Sequence, residues 1–170
     1  MLTKLFFPMI GGVRVDRVWW EGPTLHLAAT TTRRAARCPL CNHHSKRVHS
    51  TYPRTLADLP CAGAGMTVHL RARRFVCRVR WCRRQVFCER LPDLVAPWGR
   101  RTTRQREELQ RTGFDLGGAP GARHAAAAGL SVSRRTLLRL VAPPRLQRRT
   151  RCGCWASMTG VRHDVAVRSS

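Results

Sequence analysis

The sequence predicts an α+β fold in which a strand-rich half precedes a small helical unit. Three observations predict it. Apolar residues alternate with period two over 13–29 and return in the run 66–76. Cysteines stand in two close pairs within that strand-rich half, and 119–141 turns to Ala- and Leu-rich sequence with helical spacing broken by Gly129.

The first element expected is a β-hairpin within residues 1–37. Val13, Val15 and Val18, then Trp19 and Trp20, alternate loosely with polar residues. Glu21-Gly22-Pro23 makes the turn, and Leu25, Leu27 and Ala29 resume the alternation. A connector rich in Thr and Arg, 30–37, leads to the first cysteine. Residues 38–95 hold short strand-like runs at 54–56, 66–76 and 85–88, a turn supplied by Gly63 and Gly65, and no helical pattern. So small and turn-rich a unit has too few apolar residues for a generous core, and a structural metal would supply the difference.

Beyond Pro97 the pattern becomes helical, and 98–142 is expected to form three helices. Residues 100–112 make a charged helix with Leu109 as its clearest apolar contact. Residues 119–128 make an Ala-rich one closed by Gly129 as a left-handed C-cap. Ser131 or Ser133 caps the third, whose apolar face is Leu137, Leu138, Leu140 and Val141, and Pro143-Pro144 stops it. A tight Gly-containing turn between the last two is the pattern of a helix-turn-helix. Residues 143–170 show no period, and disorder is expected there.

Cys38-Pro39-Leu40-Cys41 is one knuckle and Cys77-Arg78-Val79-Arg80-Trp81-Cys82 a second, wider one. Four thiolates in two such pairs can close a tetrahedral zinc site. With no open coordination position it would be structural and not catalytic; the competing reading is four unrelated thiols. Cys61 and Cys88 lack a paired neighbour and are read as small hydrophobes. His43 and His44 could replace a thiolate but are read as solvated, Cys152 and Cys154 are read as unpaired, and Trp81, which could stack or pack beneath the metal, is read as packing there.

The chain of 170 residues carries 32 Lys+Arg against 9 Asp+Glu, a formal net charge of +23. That imbalance favours a polyanionic partner, nucleic acid first. Only Lys4 and Lys46 are lysines, and arginine suits bidentate phosphate and guanine contacts. Arg71, Arg73, Arg74, Arg78, Arg80, Arg83 and Arg84 crowd the second knuckle as a phosphate-facing patch, against the plainer reading of a solvated basic face. No apolar run is long enough to span a bilayer, and the start is not read as a signal peptide. A cytoplasmic, nucleoid-associated location is therefore expected, and cysteines in a reducing compartment point to metal before disulfides.

CPLC at the first knuckle, SxxxRxLADLP at 50–60 and VHLRARRFVCRVRWCRRQVFCERLPDLVAPWGRRTTR at 68–104 together resemble the ISL-three family of insertion-sequence transposases. LGGAPGARHAAAAGLSVSRRTLLRL resembles that family's helix-turn-helix segment, and VDRVWWEG fits its N-terminal hairpin. The resemblance covers roughly residues 5–141. It implies that Cys38, Cys41, Cys77 and Cys82 are the zinc ligands and that Arg134, Arg135, Thr136 and Arg139 lie on a recognition helix. It implies double-stranded DNA, the terminal inverted repeats of a transposon, as partner, with full-length transposase as a second. Cys61 and Cys88 depart from the family's usual residues.

The family continues into a catalytic domain whose Asp-Asp-Glu set holds two Mg²⁺ ions for strand cleavage and transfer. No such set stands here: Asp115 and Asp164 are isolated, and the chain is expected to be catalytically inactive. Read two bases later, with synonymous bases permitted, the codons of 154–160 can encode Leu-Gly-Val-Asp-Asp-Trp, the resembling opening of that domain. A frameshift between about 144 and 152 is the reading this prompts. Two other functions compete: a stand-alone zinc-ribbon and helix-turn-helix regulator or transposition inhibitor, and an RNA-binding ribbon.

Overall fold

The computed structural model describes residues 2–8 and 10–142. The readings of 143–170 as a disordered, frameshifted tail, and of its cysteines as unpaired, lie outside the described residues. Within them the chain is α+β. A short helix, α1 (Leu2–Phe6), precedes strands β1 (Val13–Glu21) and β2 (Thr24–Thr31). The small pair β3 (Ala36–Arg37) and β4 (His44–Ser45) carries the first knuckle. Long strands β5 (Val48–Cys61) and β6 (Ala64–Val76) follow, then β7 (Val86–Cys88) and helices α2 (Thr103–Leu116), α3 (Ala119–Ala127) and α4 (Arg134–Val141).

The alternation at 13–31 forms the expected hairpin, with Trp20 opposite Leu25 and Glu21 opposite Thr24. A bulge between Val15 and Arg17 shifts its register. The hairpin shares one sheet with the strands that follow. The order is β1-β2-β6-β5, β2 running parallel to β6, and β7 pairs β6 at 74–76, beyond the stretch that β2 occupies. Val13, Val15, Leu25, Leu27, Ala29, Leu56, Met66, Val68, Leu70 and Ala72 line the buried face. Phe7, just after α1, and Leu91, Leu94 and Val95 cover it.

Where 54–56 was expected as a short run, β5 extends through 14 residues. Pro53 lies inside it. It is tolerated because β5 is the outer member of the β1-β2-β6-β5 path, where a missing N–H breaks no outer ladder. The turn into β6 is Ala62-Gly63, both left-handed at φ 53° and 78°, between the paired Cys61 and Ala64. That is the twist a two-residue hairpin loop needs, and Gly65 belongs to the strand instead.

The three helices form as expected, with shifted ends. α2 begins at Thr103 because the Thr102 side chain accepts a hydrogen bond from the Gln105 N–H, and it runs on to Leu116. Gly113 is kept within it because a Cβ there would stand 2.7 Å from Val141 Cγ2. α3 ends in a Schellman turn: Gly129, at φ 78°, donates to the Ala126 carbonyl, and Leu130 to the Ala125 carbonyl. Ser133, not Ser131, caps α4. Leu109, Ala125, Leu130 and Leu137 form the helical core, while Leu138 is exposed.

The helical unit is tied to the sheet through one buried carboxylate. Ala57 N–H donates to the Arg100 carbonyl and Thr102 N–H to the Ala57 carbonyl, laying 100–102 along β5. Beside this, Asp58 accepts from the Thr102 hydroxyl at 2.6 Å and from Arg104 Nε at 2.7 Å and Nη2 at 2.6 Å. Gln105 Nε2 donates to the Asp58 carbonyl, and Arg104 Nη1 to that of Phe6.

Candidate metal centre and basic surface

Each knuckle is held open by backbone hydrogen bonds before any metal is considered. In the first, Cys38 N–H donates to the His43 carbonyl and Asn42 N–H to that of Cys38, with Asn42 left-handed at φ 58°. Ser45 Oγ donates to the Val76 carbonyl and Val76 N–H to that of Arg47, which fastens the first knuckle to the end of β6. In the second, Cys77 N–H donates to the Gln85 carbonyl at 2.7 Å, and Cys82 N–H closes a turn on Val79. Phe75 and Phe87, both buried, stack beneath the cysteines at 6.0 Å between ring centroids.

The four Sγ atoms of Cys38, Cys41, Cys77 and Cys82 lie within 4.8 Å of one another. Cys38 and Cys82 are 3.8 Å apart and Cys41 and Cys77 3.6 Å. A tetrahedron with Zn–S bonds of about 2.3 Å has edges of about 3.8 Å, so the cluster fits zinc closely. These distances are far beyond a disulfide bond, and the cysteines are free thiols. His43 and His44 are exposed and outside the cluster. Cys61 packs against the main core, and Cys88 lies beside Tyr52. Burial first, and the Cys88 thiol second, push the Tyr52 hydroxyl up to about 12.

The thiols ionise unequally. Burial resists ionisation of Cys38, yet the N–H groups of Cys41 and Leu40 and the thiols of Cys41 and Cys82 outweigh it and bring its pKa down to about 7. Cys77 moves the other way, up to about 12. The Val79 N–H favours its thiolate, but desolvation and the thiols of Cys41, Cys82 and Cys38 favour the protonated form more. Cys82 is raised too: the Arg84 N–H lowers it, but desolvation and Cys41 prevail. Zinc must displace these protons, so lowering the pH weakens binding. Above pH about 7 at least two protons leave, from Cys77 and Cys82. Below it Cys38 adds a third, and the fall of log affinity with falling pH steepens by about one per unit. Competition titration against a chromophoric chelator between pH 6 and 8 measures this, and a pH-independent affinity would contradict it.

The arginines expected to face phosphate separate into groups. Arg78, Arg80 and Arg83 are exposed on the second knuckle, and Arg84 is half-buried beside them. Arg71 is exposed further along β6, and Arg74 is exposed with its guanidinium 4.7 Å from the Tyr52 ring centre. Arg73 differs: it pairs at 3.2 Å with the buried Glu89 and donates to the Arg33 carbonyl, so its charge serves the fold. On α4, Arg134, Arg135 and Arg139 are exposed, whereas Thr136 is half-buried and bonded to the capping Ser133. Trp81, expected to pack under the metal, is instead 85 % exposed; Phe75 and Phe87 occupy the floor it would have used. Asp115 is exposed at the end of α2. Among the described residues no helix is long and apolar enough to cross a membrane.

Sequence reasoning missed two features of this surface. The Asp58–Arg104 pair spans the junction of sheet and helices, and only its LADLP setting was visible. On the open face of the sheet, Trp19, His26 and His69 stack with centroids 5.1–5.3 Å apart; the hairpin pattern sets β1 beside β2, but no local pattern announces that β6 joins them.

Residues 34–82 match the family model described as the zinc-finger of transposase IS204/IS1001/IS1096/IS1165. No curated protein and no solved structure matches the chain significantly. The matched segment runs from just before β3 to the second knuckle and contains all four clustered cysteines. It is a transposase-type zinc ribbon.

Proposed function

We propose that the chain is the DNA-binding N-terminal portion of an insertion-sequence transposase of the ISL-three type, directed to the terminal inverted repeats of its element. The observation that carries the reading is a four-thiolate cluster of zinc dimensions inside a segment that matches a transposase zinc-finger. The charge of +23 supports a polyanionic partner. The turn from α3 through Gly129 into α4, capped by Ser133 and bearing exposed Arg134, Arg135 and Arg139, supports a helix-turn-helix with α4 as recognition helix. In this reading the knuckle arginines hold phosphates and the first turns of α4 meet base edges. Zinc is structural, the work is done on chromosomal DNA, and strand cleavage belongs to a catalytic domain that these residues do not form.

Selection from a random duplex pool with the zinc-loaded chain tests it. The expected result is one enriched sequence that recurs as the inverted repeats of an insertion element. Binding should fall steeply with salt, by about 0.9 log unit per log unit for each phosphate neutralised. Arg134→Ala with Arg135→Ala is expected to lose the selected sequence preference while residual, salt-dependent binding remains. A pool that yields no preferred duplex, or tighter binding to RNA in competition, would count against the reading.

A further inference from the structure

We infer that Trp81 is an insertion residue of the DNA interface, an apolar wedge that enters a base step while arginines of the same loop hold the flanking phosphates. The inference rests on the DNA-binding reading above and adds to it the residue that leaves water on contact. Trp81 stands one position before the second cysteine of its knuckle and is 85 % exposed. Leu40 holds the corresponding position in the other knuckle and is 58 % exposed. A tryptophan near a metal ordinarily serves as packing, but Phe75 and Phe87 already fill the floor under the thiols. The indole therefore makes no contribution to that small core.

The surroundings select the partner. From 77 to 88 the loop carries Arg78, Arg80, Arg83 and Arg84 and no acidic residue. The next one, Glu89, is buried against Arg73. An exposed aromatic in a neutral rim would fit a protein surface; one ringed by arginines alone fits a polyanion with apolar faces inside it, which is a nucleic acid. Among the described residues Trp20 and Trp98 are also exposed, but Trp20 lies on β1 and Trp98 has one exposed arginine, Arg100, close by in sequence and Arg101 half-buried, and Trp19 is already spent on its stack with His26 and His69. The loop is also preorganised. Its ends are the two thiolates, and the Cys77–Gln85 and Cys82–Val79 backbone bonds brace it. Little ordering entropy remains to be lost when the indole is buried in the complex.

Insertion unstacks a base step, so it costs least where the step is already weakened. The test uses the full, zinc-loaded chain and one short duplex of mixed sequence in two forms, intact and with a single mismatched pair. The unaltered chain is expected to prefer the mismatched form. Trp81→Ala should lose roughly ten- to hundredfold in affinity for that form and lose the preference, while Trp81→Phe retains both. The Ala variant should keep one zinc per chain, because the indole does not pack against the site. If Trp81→Ala binds both duplexes as tightly as the unaltered chain, or if the unaltered chain binds both forms equally, the insertion role is overturned while DNA binding stands. If the unaltered chain binds neither duplex at low salt, the DNA-binding reading falls as well.

Discussion

Replacing Cys38 with Ser is expected to abolish tight zinc binding and to release both knuckles while the large sheet stays folded. The core beneath the cysteines consists of Cys38, Phe75 and Phe87, far too few apolar groups to hold 36–47 and 76–88 in place. Structural zinc in small modules contributes apparent binding free energies of about 10–16 kcal/mol near neutral pH, and that energy is folding energy. Loss of one of four ligands should exceed the roughly 10–100-fold affinity loss caused by removing even an outer hydrogen-bonding partner. Cys38 is the most informative target, since it is 1 % exposed and ionises more readily than Cys77 or Cys82. Amide exchange measures the outcome: protection should vanish in the knuckles and persist in β1, β2 and the central part of β6, whose core is a separate cluster. A chelator should reproduce the pattern in the unaltered chain. A Ser variant that still holds one zinc tightly, or unchanged protection in the knuckles, would show that the thiolates are not what closes this module.

Asp58→Asn should be the most damaging single change away from the metal, costing about 3–5 kcal/mol. The Asp58 side chain is fully buried and its carboxylate accepts four hydrogen bonds, one each from the Leu59 N–H and the Thr102 hydroxyl and two from Arg104. An amide cannot accept all four, and it leaves the Arg104 guanidinium, one-third exposed, without its counter-charge. Because the Thr102 side chain also caps α2, the damage should reach the start of the helical unit. In urea the midpoint is expected to fall by about 2 M, for a slope of roughly 2 kcal/mol/M. Replacing both partners, Asp58→Leu with Arg104→Met, should recover most of the loss, since apolar pairs often substitute for buried ion pairs at little cost. A midpoint that barely moves in Asp58→Asn would show that the backbone bridge between Ala57 and 100–102 carries the junction instead.

What could be read before the fold was known had a local cause. The hairpin at 13–31 announced itself through alternation and Gly22-Pro23, the knuckles through cysteine spacing, the end of α3 through Gly129 and the start of α4 through a serine cap. Each is decided within a few residues by backbone sterics, by a side chain returning to its own backbone, or by the reach of paired thiols. The length of β5 was hidden for a related reason. Pro53 forbids a central strand but not an outer one, and only the strand order says which it is.

The sequence by itself determined the α+β division, the candidate metal-ligating set of four cysteines and the basic character. Those follow from periodicity, spacing and charge count, which are properties of the chain alone. Tertiary structure decided which of the similar arginines are free. Arg73 is consumed by Glu89, sixteen positions away, while Arg78, Arg80 and Arg83 stay in water. It also decided that Trp81 faces outward, because two phenylalanines from β6 and β7 had taken the floor first. The parallel pairing of β2 with β6 and the lock of Asp58 on Arg104 have the same origin. Both join residues more than 35 positions apart, and closing so long a loop is repaid only by partners that no local pattern identifies.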